Sequence, residues 1–116
     1  SAEVLNTHPM RGHIFETMMV VEAYKAALNK GRQADLYFWR DRAGDEIDLL
    51  KINAGVFECF EIKSGATFTP DWFRQLGRFE KLNPGQVRST VVYGGTESSA
   101  RTQGEVWAWT HALEKL

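Results

Sequence analysis

The segment from Gly44 to Gly65, GDEIDLLKINAGVFECFEIKSG, decides how this chain folds, because it contains two strand-like runs joined by a tight turn. Apolar and polar residues alternate on both sides of that turn, as in two neighbouring antiparallel strands. If Ala54 and Gly55 form a two-residue turn, the facing residues of the two strands are fixed. That register sets Asp48 opposite Glu61 on one face of the hairpin.

The other facing pairs support this register, because apolar residues meet apolar residues and opposite charges meet. A slip of one residue would set Leu50 against Glu58 and mix the two faces. Asp48 and Glu61 are the exception, since their like charges destabilise the hairpin unless a cation or Lys63 neutralises them. The remaining predicted pairs are Asn53–Val56, Ile52–Phe57, Lys51–Glu58, Leu50–Cys59, Leu49–Phe60 and Ile47–Ile62.

The composition is typical of a globular domain outside the membrane. With 116 residues the chain can build one core but not two, so residues 1–116 are interpreted as a single domain. Its 43% hydrophobic and 25% charged residues exclude a disordered chain, and no apolar run approaches the roughly 20 residues of a membrane span. The single Cys59 forms no internal disulfide, which favours a cytoplasmic location. A net charge of −1 argues against coating of nucleic acid by bulk charge.

The order of predicted elements is helix, three strands, helix, two strands and a short helix, which indicates a mixed α/β sheet with helices packed on it. The first helix, residues 10–30, is apolar around most of its circumference, and we expect it to be largely buried. Thr69 and Pro70 predict the start of the second helix, and Thr110 caps the last one. The segment from Gly94 to Gly104 is polar and is predicted to be a mobile loop. The predicted strands cover residues 36–40, 45–52, 56–64, 89–93 and 105–109.

Asp48 and Glu61 are the residues of this segment that indicate a possible catalytic site. Phosphodiester hydrolysis requires a hard cation, and Mg²⁺ or Mn²⁺ binds a few oxygen ligands plus water. The two carboxylates and the Ile62 backbone carbonyl form a candidate site for that cation. Lys63 lies on the same face as Glu61, where it can orient water or stabilise charge on the phosphate. Glu16, an acidic residue in an apolar helix, is a further candidate ligand.

Each of these residues also has a purely structural interpretation. Acidic residues are common on the exposed face of a sheet, and Lys63 can simply neutralise Glu46 or Glu61. Glu16 can bind backbone groups near the start of its helix. The spacing of one aspartate followed by Glu-x-Lys arises often by accident.

Four motifs in a fixed order extend this spacing into a family resemblance that spans most of the chain. The motifs are RGHIFE at 11–16, YFWR at 37–40, GDEID at 44–48 and EIKSG at 61–65. The chain resembles the PD-(D/E)XK, or restriction-endonuclease-like, superfamily. More narrowly, it resembles the uncharacterised domain at the C-terminal end of many bacterial and archaeal AAA+ ATPase-like proteins.

The resemblance implies an αβββαβ core, to which this chain adds a C-terminal strand and a short helix. It implies that Asp48 and Glu61 are metal ligands, that Lys63 is the catalytic lysine and that Glu16 is the helical acidic residue. The implied activity is hydrolysis of DNA or RNA with Mg²⁺ or Mn²⁺. The implied context is the C-terminal part of a larger ATPase-like chain, whose ATPase domain is then the partner.

Arg40 and Arg42 are candidate phosphate contacts. Gln75 is a third, because it resembles the glutamine of a Gln-x-x-x-Tyr element found in some nuclease relatives. Phe79 stands where that element has tyrosine, so the hydroxyl is missing. No Walker A pattern occurs in the 116 residues, so ATP binding by that route is not expected.

Two other functions stay open at this point. A nuclease fold without catalysis would bind nucleic acid or a protein partner for the ATPase, and the net charge of −1 favours that alternative over cleavage. The third interpretation is an interaction domain whose aromatic residues Trp107 and Trp109 serve oligomerisation. Tryptophans in such strands more often pack in the core.

Overall fold

The computed structural model describes residues 9–31 and 35–116, which form one six-stranded sheet with helices packed against it. The expected mixed α/β architecture is confirmed, and helix, three strands, helix and strand follow one another in the predicted order. The helices are α1 (Arg11–Asn29), α2 (Arg74–Leu82), which continues a 3₁₀ turn at Pro70–Phe73, and α3 (Trp109–Lys115). The strands are β1 (Leu36–Arg40), β2 (Glu46–Asn53), β3 (Val56–Lys63), β4 (Val87–Tyr93), β5 (Ser99–Arg101) and β6 (Gly104–Ala108).

The sheet has the strand order β1-β2-β3-β4-β6-β5 and joins an antiparallel part to a parallel part. β1, β2 and β3 form the predicted antiparallel meander. β4 runs parallel to β3, because α2 carries the chain back along the sheet between these two strands. β6 in turn runs parallel to β4. β3 therefore connects the two parts and is paired on both sides.

Two apolar clusters hold the helices on the sheet, one on each face. Successive residues of β3 therefore belong to different clusters. Cys59 belongs to the cluster packed under α2, whereas Phe60 and Ile62 belong to the cluster packed under α1 and α3. Trp107 and Trp109 are partly buried against the second cluster. Members of the first cluster include Ile47, Leu50, Phe73, Leu76, Phe79 and Val91, and members of the second include Met19, Ala23, Leu49, Val92, Ala112 and Leu116.

Helix α1 differs from the prediction that it would be largely buried. Only Met19 and Ala23 of this helix are fully buried, while large apolar side chains on the opposite side are exposed. The prediction was wrong because α1 lies on the outside of a single sheet and has one face in contact with it. None of the described helices is long and apolar enough to cross a membrane.

The turn between β2 and β3 has the predicted two-residue form. Ala54 has a φ of 52° and Gly55 a φ of 80°, the left-handed pair that matches the twist of a tight hairpin. The register is confirmed from Asn53–Val56 to Leu49–Phe60. The ladder ends there, so the two predicted pairs beyond it, Asp48–Glu61 and Ile47–Ile62, do not form.

A bulge in β2 explains why the ladder ends at Leu49. On its other side β2 pairs with β1, where Tyr37 faces Leu50 but Trp39 faces Ile47. Two β2 residues, Asp48 and Leu49, therefore lie opposite a single β1 residue. A bulge of this kind bends the strand and redirects the extra side chain.

The C-terminal third contains one more strand than predicted. Within the segment from Gly94 to Gly104, predicted to be a mobile loop, Ser99–Arg101 forms β5 and pairs with β6. α3 begins at Trp109 directly after β6, with Ala108 in the cap position, so the predicted Thr110 cap is wrong. Thr69 does precede the first turn and Pro70 occupies its start, but that turn is 3₁₀ before it continues as α2.

Candidate active site

The bulge places Asp48 in the gap where β2 and β3 stop pairing. Its Oδ2 accepts a hydrogen bond from the Ile62 backbone N–H at 2.8 Å. The carboxylate thus takes the place of the β2 backbone acceptor that a regular ladder would supply. Asp48 is therefore held by the strand that carries the Glu-Ile-Lys motif.

Glu61 is buried beside Asp48 in a way that is unusual for a carboxylate. The residue is 5% exposed, and its Oε2 has no hydrogen-bond partner among the residues that the structure describes. Burial, followed by the hydrogen bond and the negative charge of Asp48, raises the pKa of Glu61 to about 9. The predicted proximity of the two acids is thus present, although they meet through their side chains and not as a ladder pair. At neutral pH Glu61 holds a proton unless a cation replaces it.

Lys63 lies on the same side of β3 as Glu61. Its Nζ is 3.8 Å from Glu61 Oε1, and its side chain is 40% exposed. The positive charge lowers the pKa of Glu61, but burial and Asp48 outweigh it. Lys63 is therefore close enough to act beside the acids and exposed enough to contact a substrate.

Glu16 approaches Asp48 from helix α1. The side chain is half-buried, and burial raises its pKa, with further increases from the charge of Asp48 and from their hydrogen bond. His13, one turn earlier on α1, has the opposite effect on that pKa. Asp48 therefore interacts with both predicted acidic partners, one on α1 and one on β3. Across residues 9–31 and 35–116, no three His, Cys, Asp or Glu side chains are grouped so as to hold a metal ion among themselves.

The acids that precede Asp48 in the sequence are neutralised by arginines. Asp45 pairs with Arg78 at 2.6 Å, and Glu46 pairs with Arg40 at 2.7 Å. The backbone N–H of Glu46 donates to the side-chain oxygen of Gln75. Arg40 and Gln75, both predicted phosphate contacts, thus have partners within the protein.

Arg42, the third predicted phosphate contact, is exposed in the turn between β1 and β2. That turn leads into the motif that carries Asp48. The Ile62 backbone carbonyl, predicted as a metal ligand, belongs to the same residue whose N–H binds Asp48. Its role as a ligand stays a prediction.

A small cavity of about 50 Å³ opens beside these groups on the α2 side of the sheet. Sequence reasoning did not assign Asp71 or Trp72 to the site, although both line this cavity. The available signal was their position in the helical turn just before Gln75, which lines it too. The complete lining is Glu61, Lys63, Asp71, Trp72, Arg74 and Gln75.

The comparisons with known proteins give one result. The family model described as "Domain of unknown function (DUF4143)" matches residues 11–112, which contain all four motifs and every predicted site residue. No curated protein and no solved structure matches the chain significantly. The predicted resemblance to an uncharacterised domain family is thereby confirmed.

Proposed function

The chain belongs to the DUF4143 family, and we propose that this member is a metal-dependent nuclease-like domain that hydrolyses phosphodiester bonds in DNA or RNA. The observation that carries the proposal is the buried Oε2 of Glu61, which lies next to the Asp48 carboxylate and has no hydrogen-bond partner among residues 9–31 and 35–116. Two adjacent carboxylates repel each other when both are ionised, and here hydrogen-bond donors do not satisfy all of their oxygens. A hard cation, which binds carboxylate oxygens, can neutralise them. Lys63 adds the positive group that a phosphate reaction needs.

Asp48 and Glu61 would hold Mg²⁺ or Mn²⁺, together with the Ile62 carbonyl, and Glu16 would act on the cation directly or through water. The residues present fit such an ion, because hard divalent cations prefer one or two carboxylates and several waters over a closed protein cage. The ion supplies neutralisation of phosphate charge and activation of water.

Lys63 has a separate role in this proposal. Its exposed ammonium group is free to turn from Glu61 toward a bound phosphate, where it stabilises the negative charge that develops during hydrolysis. Neighbouring Arg74 in the same cavity is 60% exposed and lies 3.8 Å from the exposed Asp71 carboxylate, so it would have to turn from Asp71 to act as a second positive group near that phosphate. The catalytic set is then Glu16, Asp48, Glu61 and Lys63.

The order of elements supports assignment to the PD-(D/E)XK superfamily. Asp48 on the second strand and Glu61 and Lys63 on the third, after a helix that carries Glu16, match the arrangement that the resemblance implies. The same resemblance supports a role as an accessory to an AAA+ ATPase domain of the parent chain. Both assignments extend beyond the DUF4143 match itself.

The test combines metal binding with cleavage. Titration calorimetry with Mn²⁺ should show binding to the wild type and none to Asp48→Asn. Supercoiled plasmid and single-stranded oligonucleotides should be cut by the wild type with Mn²⁺, and the cutting should be lost in Lys63→Ala. Lys81→Ala, which removes an exposed lysine from α2, is the matched control and should retain cleavage. If Mn²⁺ changed neither the calorimetric signal nor the cleavage activity of the wild type and of Asp48→Asn, the proposal would be rejected.

The second candidate function is a nuclease-fold module that binds nucleic acid or a protein without cutting. The protein-binding form of this candidate is favoured by the pairing of arginines near the site with acids of the protein, Arg40 with Glu46 and Arg78 with Asp45. Paired arginines contribute less to phosphate binding. Retained binding of oligonucleotides with no cleavage under any divalent cation, and no change in Lys63→Ala, would establish this alternative.

A further inference from the structure

Exposed apolar side chains of this protein are concentrated on one surface. Eleven large apolar side chains are exposed among the described residues, and eight of them lie on α1, on its N-cap residue Met10 or on β1. Phe38 is the most exposed of these, at 75%. We call this surface the outer face, and its exposed members are Met10, Ile14, Met18, Val21, Tyr24, Leu28, Tyr37 and Phe38.

The part of the outer face on α1 is a continuous stripe. Its six residues follow one another at intervals of three or four positions, the spacing that aligns side chains along one side of a helix. The buried residues Met19 and Ala23 lie on the opposite side, against the sheet. The stripe therefore points away from the core over the whole length of the helix.

A groove connects this stripe to the edge of the sheet. Its volume is about 360 Å³, and its lining contains one charged residue, Asp48, among apolar and aromatic ones: Val20, Tyr24, Leu36, Tyr37, Phe38 and Leu49. β1 is the terminal strand of the sheet on this side. The outer face therefore extends from the helix onto an edge strand.

The size of the outer face is that of a protein interface. The three aromatic side chains have surfaces of roughly 150–250 Å² each, and the five aliphatic ones roughly 60–120 Å² each. At about half exposure or more, the eight together present on the order of 600 Å² of apolar surface. A stable complex of ordinary size buries about 800 Å² on each partner. Because homodimer interfaces are about 65% apolar, about 500 Å² of that area is apolar. The outer face reaches this value and lies at the upper end of the roughly 300–600 Å² found for the largest apolar patch of a typical monomer.

We propose that the outer face is covered by the outer face of a second copy of this chain, so that the protein is a two-fold symmetric dimer. Three properties favour a copy over a different occupant. The area is sufficient for a dimer without a further partner. The edge strand β1 can pair antiparallel with itself, an operation that is inherently two-fold. The eight side chains carry no charge, and Asp48, the one charged residue that lines the groove, is held by the Ile62 N–H of its own chain.

This dimer leaves the Glu61 and Lys63 side of the candidate active site accessible. Glu61 and Lys63 alternate along β3 with Phe60 and Ile62, so they face α2, on the other side of the sheet from α1. Asp48 lines the groove and Glu16 lies on α1, so the α1 side of the site borders the proposed interface. The oligomeric state is measured without metal or substrate, so its outcome does not depend on the proposed nuclease function.

The test measures the oligomeric state of the chain by sedimentation equilibrium over a wide range of concentration. The wild type should be a dimer. Val21→Glu on the stripe and Phe38→Glu on the edge strand should each raise the dissociation constant at least roughly 100-fold, because each places two unpaired charges in the interface. Leu82→Glu is the matched control, since Leu82 is 66% exposed on α2 and lies outside the outer face. It should leave the dimer intact.

Both test positions are already exposed in the single chain, so neither substitution removes core packing, and circular dichroism should show unchanged folding. A wild type that remains monomeric at all concentrations would overturn the proposal and assign the outer face to a different protein or domain. A dimer that survives Val21→Glu would overturn it as well. A dimer sensitive to Val21→Glu but not to Phe38→Glu would exclude the edge strand from the interface and refute the face as proposed.

Discussion

Glu61 combines two properties that oppose each other, because it is packed like a core residue but carries an ionisable group. Phe60 and Ile62 on either side of it are buried apolar residues, and alternation turns Glu61 toward the opposite side of the sheet. Burial disfavours the charged form, and Asp48 adds a second acid next to it. The position therefore destabilises the fold at high pH unless a cation is bound.

Glu61→Gln should make stability less dependent on pH. Because the pKa of Glu61 is raised from 4.5 to about 9 in the folded state, its stabilising contribution is complete below pH 4.5 and is lost as the pH rises to about 9. The free energy of unfolding of the wild type should fall by up to about 1.4 kcal/mol per pH unit across this range. Urea denaturation at pH 5, 7 and 9, without divalent cations, measures the slope.

Glu97→Gln, which changes an exposed glutamate, is the control and should keep the wild-type slope. Equal slopes in wild type and Glu61→Gln would contradict the assignment of the raised pKa to Glu61.

Gly94 secures the end of the strand that carries Lys63. Its N–H donates to the carbonyls of Lys63 and Gly65, each at 3.0 Å. A Cβ at this position would lie 2.2 Å from the Ser64 carbonyl oxygen, so the backbone would have to move. Gly94→Ala should lower the free energy of unfolding by roughly 2–3 kcal/mol.

The matched change is Gly77→Ala in α2, where a Cβ would meet no atom within 4 Å. It should raise the free energy of unfolding by about 0.5–1 kcal/mol, because alanine favours a helix over glycine. Chemical denaturation of both variants gives the comparison. An unchanged free energy of unfolding in Gly94→Ala would show that Gly94 is not packed against Ser64 and Gly65 as described.

At the scale of elements, the start of β2 is held by α2. Gln75 accepts the Glu46 N–H, and Arg78, one turn later, pairs with Asp45. The two contacts fix the strand that leads to Asp48 against the helix that lines the site. Gln75 is thus a positioning residue for the strand in addition to its predicted role as a phosphate contact.

Gln75→Ala should reduce the free energy of unfolding by about 1–2 kcal/mol, because it leaves the Glu46 N–H without its partner. Glu80→Ala changes an exposed residue of the same helix by a similar amount of side chain and should have little effect. Thermal and urea unfolding of the two variants measure the difference. Equal losses would mean that helix stability, and not the hydrogen bond, accounts for the effect.

The elements themselves were largely predictable, and the exceptions have a common cause. The hairpin register follows from alternation and from turn residues that are adjacent in sequence, and it holds as far as Leu49. The bulge at Asp48 arises from pairing with β1, a separate strand. Ser99–Arg101 is exposed and has no strand pattern of its own. It forms β5 because it pairs with the backbone groups along the edge of β6.

At the scale of the whole molecule, the candidate site joins three elements. Glu16 comes from α1, Asp48 from β2 and Glu61 from β3, so a cation bound there would cross-link the helix and both strands. A ligand that binds only the folded state stabilises it, by about 2.7 kcal/mol at 100 times its dissociation constant. Mn²⁺ should therefore raise the unfolding temperature of the entire domain.

The increase should be larger at pH 8 than at pH 6, because Mn²⁺ displaces the proton that the raised pKa keeps on Glu61. Scanning calorimetry with and without Mn²⁺ measures it. Asp48→Asn should abolish the increase, and Glu114→Gln, an exposed change on α3, should not. An equal increase in Asp48→Asn would locate the bound ion elsewhere.

The sequence by itself determined the αβββαβ order, the two-residue turn and the candidates Glu16, Asp48, Glu61 and Lys63, because alternation, turn chemistry and motif spacing act between neighbours in the chain. Only the tertiary structure decided how these groups meet. Asp48 reaches Glu61 through a bulge imposed by β1, and Gln75 is held by Glu46. The exposure of the outer face was likewise beyond the sequence, since an apolar helix does not specify how many of its sides the rest of the fold will cover.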